Sequence, residues 1–206
     1  TACFEGVKDI AHDLRLHDSV AKDAIRLLKI ADDENIFKRK AGASGDAMCG
    51  AALYLVCKQQ GASRTFHEMS HAAGVPQGDI TKRLRLLQKN DKLSEFAGGV
   101  VRPEHLVPRF CSLLDFQQWV SAAALHVAQK AGELHLNSGQ QPQAMAAAAL
   151  LLSAGAFGML AGRSAKEVAE VTKAVADVCG AKPRTVSKGY AALYPHRYSL
   201  LSEGVK

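Results

Sequence analysis

The chain has 206 residues, of which 48% are hydrophobic and 22% charged, a balance that fits a globular protein and excludes a disordered one. The formal charge of +6 at pH 7 favours polyanionic partners such as nucleic acid. The five cysteines are odd in number and show no C-x-x-C spacing, which speaks against a disulfide framework or a zinc site.

Alanine is abundant, and β-branched runs bounded by turn signals are nearly absent. The chain therefore reads as all-α. The length allows one large domain or two of about 100 residues, each able to bury a core.

The first predicted helix covers residues 5–14 and the second 19–32, with Ser19 as its N-cap. The third covers 44–60 and stops at Gly61. It is apolar on nearly every face, so other helices must surround it. Thr65-Phe66-His67-Glu68 is a capping-box pattern that opens a fourth helix, which Gly74 ends. The fifth runs from Pro76 or Gln77 to about Asn90, with Ile80, Leu84 and Leu87 spaced for one buried stripe. Residues 94–102, with Gly98-Gly99, read as a linker.

The pattern then starts again. Helices are predicted over 103–114, 116–134, 141–160, 164–179 and 183–194, with Pro142 and Pro183 suited to first turns. Residues 47–55 match 144–152 at most positions, and Gly74, Ile80, Thr81 and Lys82 align with Gly180, Val186, Ser187 and Lys188. The second copy has a longer fourth helix, by roughly two turns, decorated by Lys166, Glu167, Glu170, Lys173 and Asp177. The expected units are residues 1–98 and 99–206. Residues 144–161 lack charge, but they are mostly Ala and Gly without flanking anchors, so an enclosed helix is expected rather than a membrane span.

The last two helices of each copy form a helix, Gly-containing turn, helix pattern, the arrangement of a helix-turn-helix. In the second copy Arg184, Thr185, Ser187 and Lys188 occupy the first turns of the final helix, with Lys182 just before it. Recognition helices read base edges from these positions, and Arg, Ser and Thr suit that task. In the first copy the corresponding helix carries Lys82, Arg83, Arg85 and Lys89, either a solvated face or a docking face for acidic groups or phosphates.

No G-x-S-x-G, H-E-x-x-H or G-x-x-x-x-G-K-[S/T] motif occurs, and no catalytic residue is assigned. His67 and His71 share a helix face without a third ligand nearby in sequence, so they read as surface histidines. Cys49, Cys57 and Cys179 lie in apolar helical contexts and read as buried thiols of a reducing compartment. The sequence has no initiator Met or targeting run and reads as an excised domain.

Several runs resemble the transcription factor IIB family. Residues 57–68, Cys57-Lys58-Gln59-Gln60-Gly61-Ala62-Ser63-Arg64-Thr65-Phe66-His67-Glu68, resemble its Cys-Arg/Lys-Gln-x-Gly run followed by Arg-Thr-Phe-x-Glu. Arg109-Phe110-Cys111-Ser112, Pro142 with the run Ala146 to Ala149, and Tyr190 to Pro195 resemble motifs of its second repeat. The resemblance covers nearly the whole chain in order. It implies two tandem five-helix cyclin-like domains and a general initiation factor that catalyses nothing. The partners it implies are TATA-binding protein or a related factor, promoter double-stranded DNA and RNA polymerase II.

By the same resemblance the chain is a nuclear, monomeric protein with no membrane partner. It holds no cofactor of its own, a zinc ribbon being expected elsewhere in the full-length protein. Gly42, Ser44 and Gln140 fall at DNA-facing turns, while Lys58, Arg64, Lys82, Arg83, Arg85 and Lys89 become candidates for contact with TATA-binding protein or other partners. Ala43 and Gln140 replace family arginines, and Arg184 and Ser187 stand where the family has Val and Arg, so the usual flanking elements are not expected to be read in the usual way. The related RNA polymerase III factor and a kinase-activating cyclin are the alternatives. The first shares both repeats, and the second would bind a kinase without DNA.

Overall fold

A helix that is apolar all round must be enclosed, and both such helices are. The computed structural model describes residues 2–36, 45–96 and 98–201, and the chain divides into two compact units, 1–101 and 102–206. Every regular element among the described residues is helical.

In the first unit, α1 (Ala2–Asp13), α2 (Asp18–Asp33), α4 (Phe66–Ala73) and α5 (Gln77–Gln88) pack around α3 (Gly45–Gln59). Within α3 the residues from Ala47 to Cys57 are buried except Tyr54, which stacks on Phe66 with ring centroids 4.1 Å apart. The stripe Val20, Ala24, Leu27, Leu28 and Ala31 turns α2 onto this core. The predicted start of α3 at Ser44 lies outside the described residues.

The second unit repeats the plan. Helices α6 (Pro103–Leu113), α7 (Gln118–Glu133), α9 (Ala165–Val178) and α10 (Pro183–Leu193) pack around α8 (Pro142–Ala156), in which Ala144 through Ala154 are all buried. Alanine side chains let neighbouring helices approach closely. No helix among the described residues is long and apolar enough to cross a membrane.

The helix ends show the same repeat at backbone level. Gly74 and Gly180 adopt left-handed conformations, at φ +61° and +63°. In each case the next amide reaches back over the last turn, Val75 to Ser70 and Ala181 to Ala176. This is the Schellman stop that glycine favours. The stops after the first two helices of each unit use the same geometry without glycine, at Arg15 and Asp115 and at Asn35 and His135. Their signal in the sequence is weak, because non-glycine residues adopt positive φ uncommonly, Asn, Asp and His more often than the rest.

Four expectations change. The N-cap of α2 is His17, whose Nδ1 accepts the Ser19 amide, so Ser19 lies inside the helix. Helix α8 ends at Ala156 rather than near Leu160, because Gly158 turns left-handed and the Met159 amide closes onto the Ala154 carbonyl. The start of the expected linker is structured: Asp91–Phe96 forms a 3₁₀ helix that buries Leu93 and Phe96 in the first unit. Gln59 Nε2 donates to the Glu95 carbonyl, and Arg26 pairs with the Glu95 carboxylate at 3.1 Å. After α10 the chain continues through a 3₁₀ turn (Tyr194–His196) into α11 (Arg197–Leu200), where Leu200 is buried and the helix packs on α7.

Candidate nucleic-acid interface

The turn between α9 and α10 sets the geometry. Gly180 ends α9, and Pro183 opens α10 at a position whose amide would lack a partner in any case. Val186, Gly189 and Leu193 then hold α10 against the core. A Cβ on Gly189 would stand 3.1 Å from Met145 Sδ and 3.2 Å from Ala148 Cβ, so this glycine permits the close approach to α8. The opposite face of α10 offers Arg184, Ser187 and Lys188 to solvent, with Thr185 half-buried. No residue of α10 is acidic, so its positive potential is undiluted along the helix.

The loop before α8 completes the surface. Gly139, Gln140, Gln141, Arg184, Thr185 and Lys188 together line a polar depression of about 380 Å³. The structure thus brings Gln140, Arg184, Thr185 and Lys188 of the sequence-derived set to one place. Ser187 and Lys182 are exposed on the same helix end but do not line the depression. Gly42 and Ser44 lie outside the described residues. Gly139 and Gln141 escaped the sequence reading; their signal was the polar turn next to the helix-opening Pro142. The side chains of this surface offer guanidinium, ammonium, hydroxyl and amide groups, a set that can contact phosphates and base edges together.

The basic residues of the first unit are arranged differently. Lys82, Arg85 and Lys89 are exposed and follow the i, i+3, i+7 spacing of one face of α5 and its cap. Lys82 is paired with Asp79 at 3.0 Å, an exposed ion pair that contributes little. Arg83 is half-buried, so it stands apart from that face. Lys58 is half-buried at the end of α3. Arg64 is turned inward: its guanidinium donates to the carbonyls of Ala62, Ser63 and Leu14, bracing the end of α1 against the loop before α4. Both of its Nη groups thus serve backbone acceptors of the same unit.

Cys49, Cys57, Cys111 and Cys179 are buried. Burial pushes the Cys111 thiol up, against a smaller opposing effect of its hydrogen bond with Ser121, so it stays protonated near neutral pH and is a poor nucleophile. His67 and His71 are exposed, and no group of three or more metal-ligating side chains occurs among the described residues.

The family model described as "Transcription factor TFIIB repeat" matches the chain twice, over residues 1–90 and 97–196. The chain is 28% identical over 205 residues to a protein named Transcription initiation factor IIB from Drosophila melanogaster, a match covering 100% of this chain and 60% of that relative. It is 28% identical over 203 residues to the protein of the same name from Homo sapiens, covering 98% of this chain and 60% of that one. The match to the Drosophila virilis protein of that name covers 65% of its length, so the chain spans less than two thirds of these curated relatives.

Proposed function

The chain belongs to the transcription factor TFIIB repeat family, and from that premise we propose that it is the core of a general transcription initiation factor of the nucleus. Its two cyclin-like repeats bind TATA-binding protein or a related factor together with promoter DNA and help recruit RNA polymerase II. They do so as a binding module, without catalysis; that part of the reading rests on the family.

One observation carries the DNA part. The helix-turn-helix of the second unit and the turn before α8 meet in a polar depression that holds Arg184 and Lys188. Lys188 supplies charge for a phosphate, while Arg184, on the first turn of α10, is placed for a base edge. The family has Val and Arg where this chain has Arg184 and Ser187, so its base preference differs from the usual flanking element. The exposed cations Lys82, Arg85 and Lys89 of the first unit serve protein partners.

A gel mobility shift with TATA-containing duplex, with and without TATA-binding protein, tests the reading. The expected result is a slower complex that requires both proteins and weakens steeply with salt, because each neutralised phosphate releases counterions. A complex indifferent to salt, or no complex in either condition, overturns it.

A further inference from the structure

The lengthened fourth helix of the second unit adds almost nothing to the core. Helix α9 has 14 residues against 8 in α4, yet its buried residues, Val175 and Ala176, lie near its C-terminal end. Between Ala165 and Glu170 only Val168 is half-buried; its neighbours are exposed. Helix α4, by contrast, buries both Met69 and Ala73. The added turns are ordered all the same, anchored by a capping box in which Ser164 and Glu167 exchange hydrogen bonds.

What the extension builds is a wall. Val168 lines an open groove of about 480 Å³, with Leu152 of α8, Leu160 and Ala161 of the following loop, and Tyr190 of α10. The far rim is Tyr194, Arg197 and Tyr198. That volume lies within the range of ligand-holding clefts. Tyr194 and Tyr198 are exposed, and aromatic side chains rimming an apolar cleft are the composition of a protein contact surface. Among the described residues, Arg197 is the one charged residue lining the groove. Its guanidinium lies 4.4 Å from the ring centre of Tyr194 and 4.3 Å from that of Tyr198, and it donates to the Tyr194 carbonyl and the Tyr198 hydroxyl. It is therefore held in place, and among the described residues no carboxylate pairs with it.

We propose that this groove docks a short segment of a partner protein that inserts apolar side chains between α8 and α9 and sets a carboxylate on Arg197. Charge selects the occupant: a basic or purely apolar segment would leave the oriented cation unmatched, whereas a carboxylate gains charge-assisted hydrogen bonds. The site is separate from the DNA depression, since the two share no lining residue.

The test begins with selection of random peptides displayed on phage against the whole chain, followed by fluorescence anisotropy with the enriched peptide. The expected consensus joins apolar residues with Asp or Glu. Ala161→Trp, which fills the groove from an exposed position, and Arg197→Gln each weaken binding by about tenfold, the loss of a charge-assisted contact. Replacing the acidic residue of the peptide by its amide gives a similar loss and leaves the protein's fold untouched. The DNA mobility shift stays unchanged in both variants. No enriched sequence, a consensus without an acidic residue, or equal binding by Ala161→Trp and the unaltered chain overturns the proposal.

Discussion

In the first unit, the glycine at the contact between the third and fifth helices sits on the central helix: a Cβ on Gly50 would stand 3.3 Å from Ile80 Cδ1 of α5. In the second unit it sits on the other partner, Gly189 of α10 facing Met145 and Ala148 of α8. The same approach is reached by removing a side chain from opposite sides. The difference has consequences for the surface. Aligned on Ile80 and Val186, the position of Gly189 is Arg83 in the first unit, half-buried with its Nε buried and without a hydrogen-bond partner in the structure. The first turn of α5 is Gln77-Gly78-Asp79, with an acid and no cation, whereas α10 begins Pro183-Arg184-Thr185. A shared frame thus gives the second unit a basic helix start and gives the first unit a basic stripe further along.

The largest expected effect tests whether the two cores are equivalent. Leu53 and Leu150 occupy the same place on the two central helices and are both fully buried. Leu53→Ala and Leu150→Ala should each cost about 2–5 kcal/mol, the range for a cavity in a well-packed core. Urea unfolding followed by circular dichroism should show equal losses. A loss confined to one of them would mean that one repeat relaxes around the cavity.

The next effect separates the two basic surfaces. Arg184→Ala should weaken DNA binding by about 1–3 kcal/mol and relax base preference, as expected for a lost bidentate base contact. Lys188→Ala should instead weaken all sequences alike and reduce the salt slope by about one. The aligned change Lys82→Ala should leave DNA binding unaltered. Charge reversal of Lys82, Arg85 and Lys89 together should abolish the complex with TATA-binding protein, and with it the shifted band on DNA. Selection from random duplexes and a salt titration of the mobility shift distinguish these outcomes. If Lys82→Ala and Lys188→Ala behave alike, the division of labour between the repeats is wrong.

How much of this was legible follows from where the physics is local. The capping box at Thr65 and Glu68, the glycine stops at Gly74 and Gly180, and the all-round apolar helices announce themselves in a few adjacent residues. The stops at Arg15, Asn35, Asp115 and His135 announce themselves less, because residues other than glycine adopt the left-handed backbone uncommonly, Asn, Asp and His more often than Arg. The inward turn of Arg64 was hidden for another reason: its acceptor at Leu14 is distant in sequence. The depression was half legible. Arg184 and Lys188 followed from helical spacing, but the pairing of their surface with Gln141 depends on how α10 lies against α8.

A smaller effect compares the two capping boxes. Thr65 is buried and Ser164 exposed, although each accepts from the amide three residues on. Thr65→Ala should cost about 1–2 kcal/mol and Ser164→Ala about 0.5–1 kcal/mol, the upper and lower parts of the range for lost caps. Thermal melts of the two variants check the order.

The smallest effect is a pH dependence at the start of α9. The Ser164 hydroxyl and backbone amide donate to the Glu167 carboxylate and hold its pKa below the ordinary glutamate value. A carboxyl depressed in the folded state stabilises that state above its unfolded pKa, and the contribution is lost as pH falls through the folded one. Acidification below the ordinary glutamate range should therefore loosen the first turn of α9, where Ser164 and Glu167 are both exposed. Amide exchange of Glu167 and Val168, compared with the buried end of the helix at Val175, reads this directly. Glu167→Gln should remove most of the pH dependence and keep the cap only in part, because a neutral amide accepts weaker hydrogen bonds than a carboxylate. Unchanged exchange across that range would show that the extension is held by Val168 in its groove rather than by its cap.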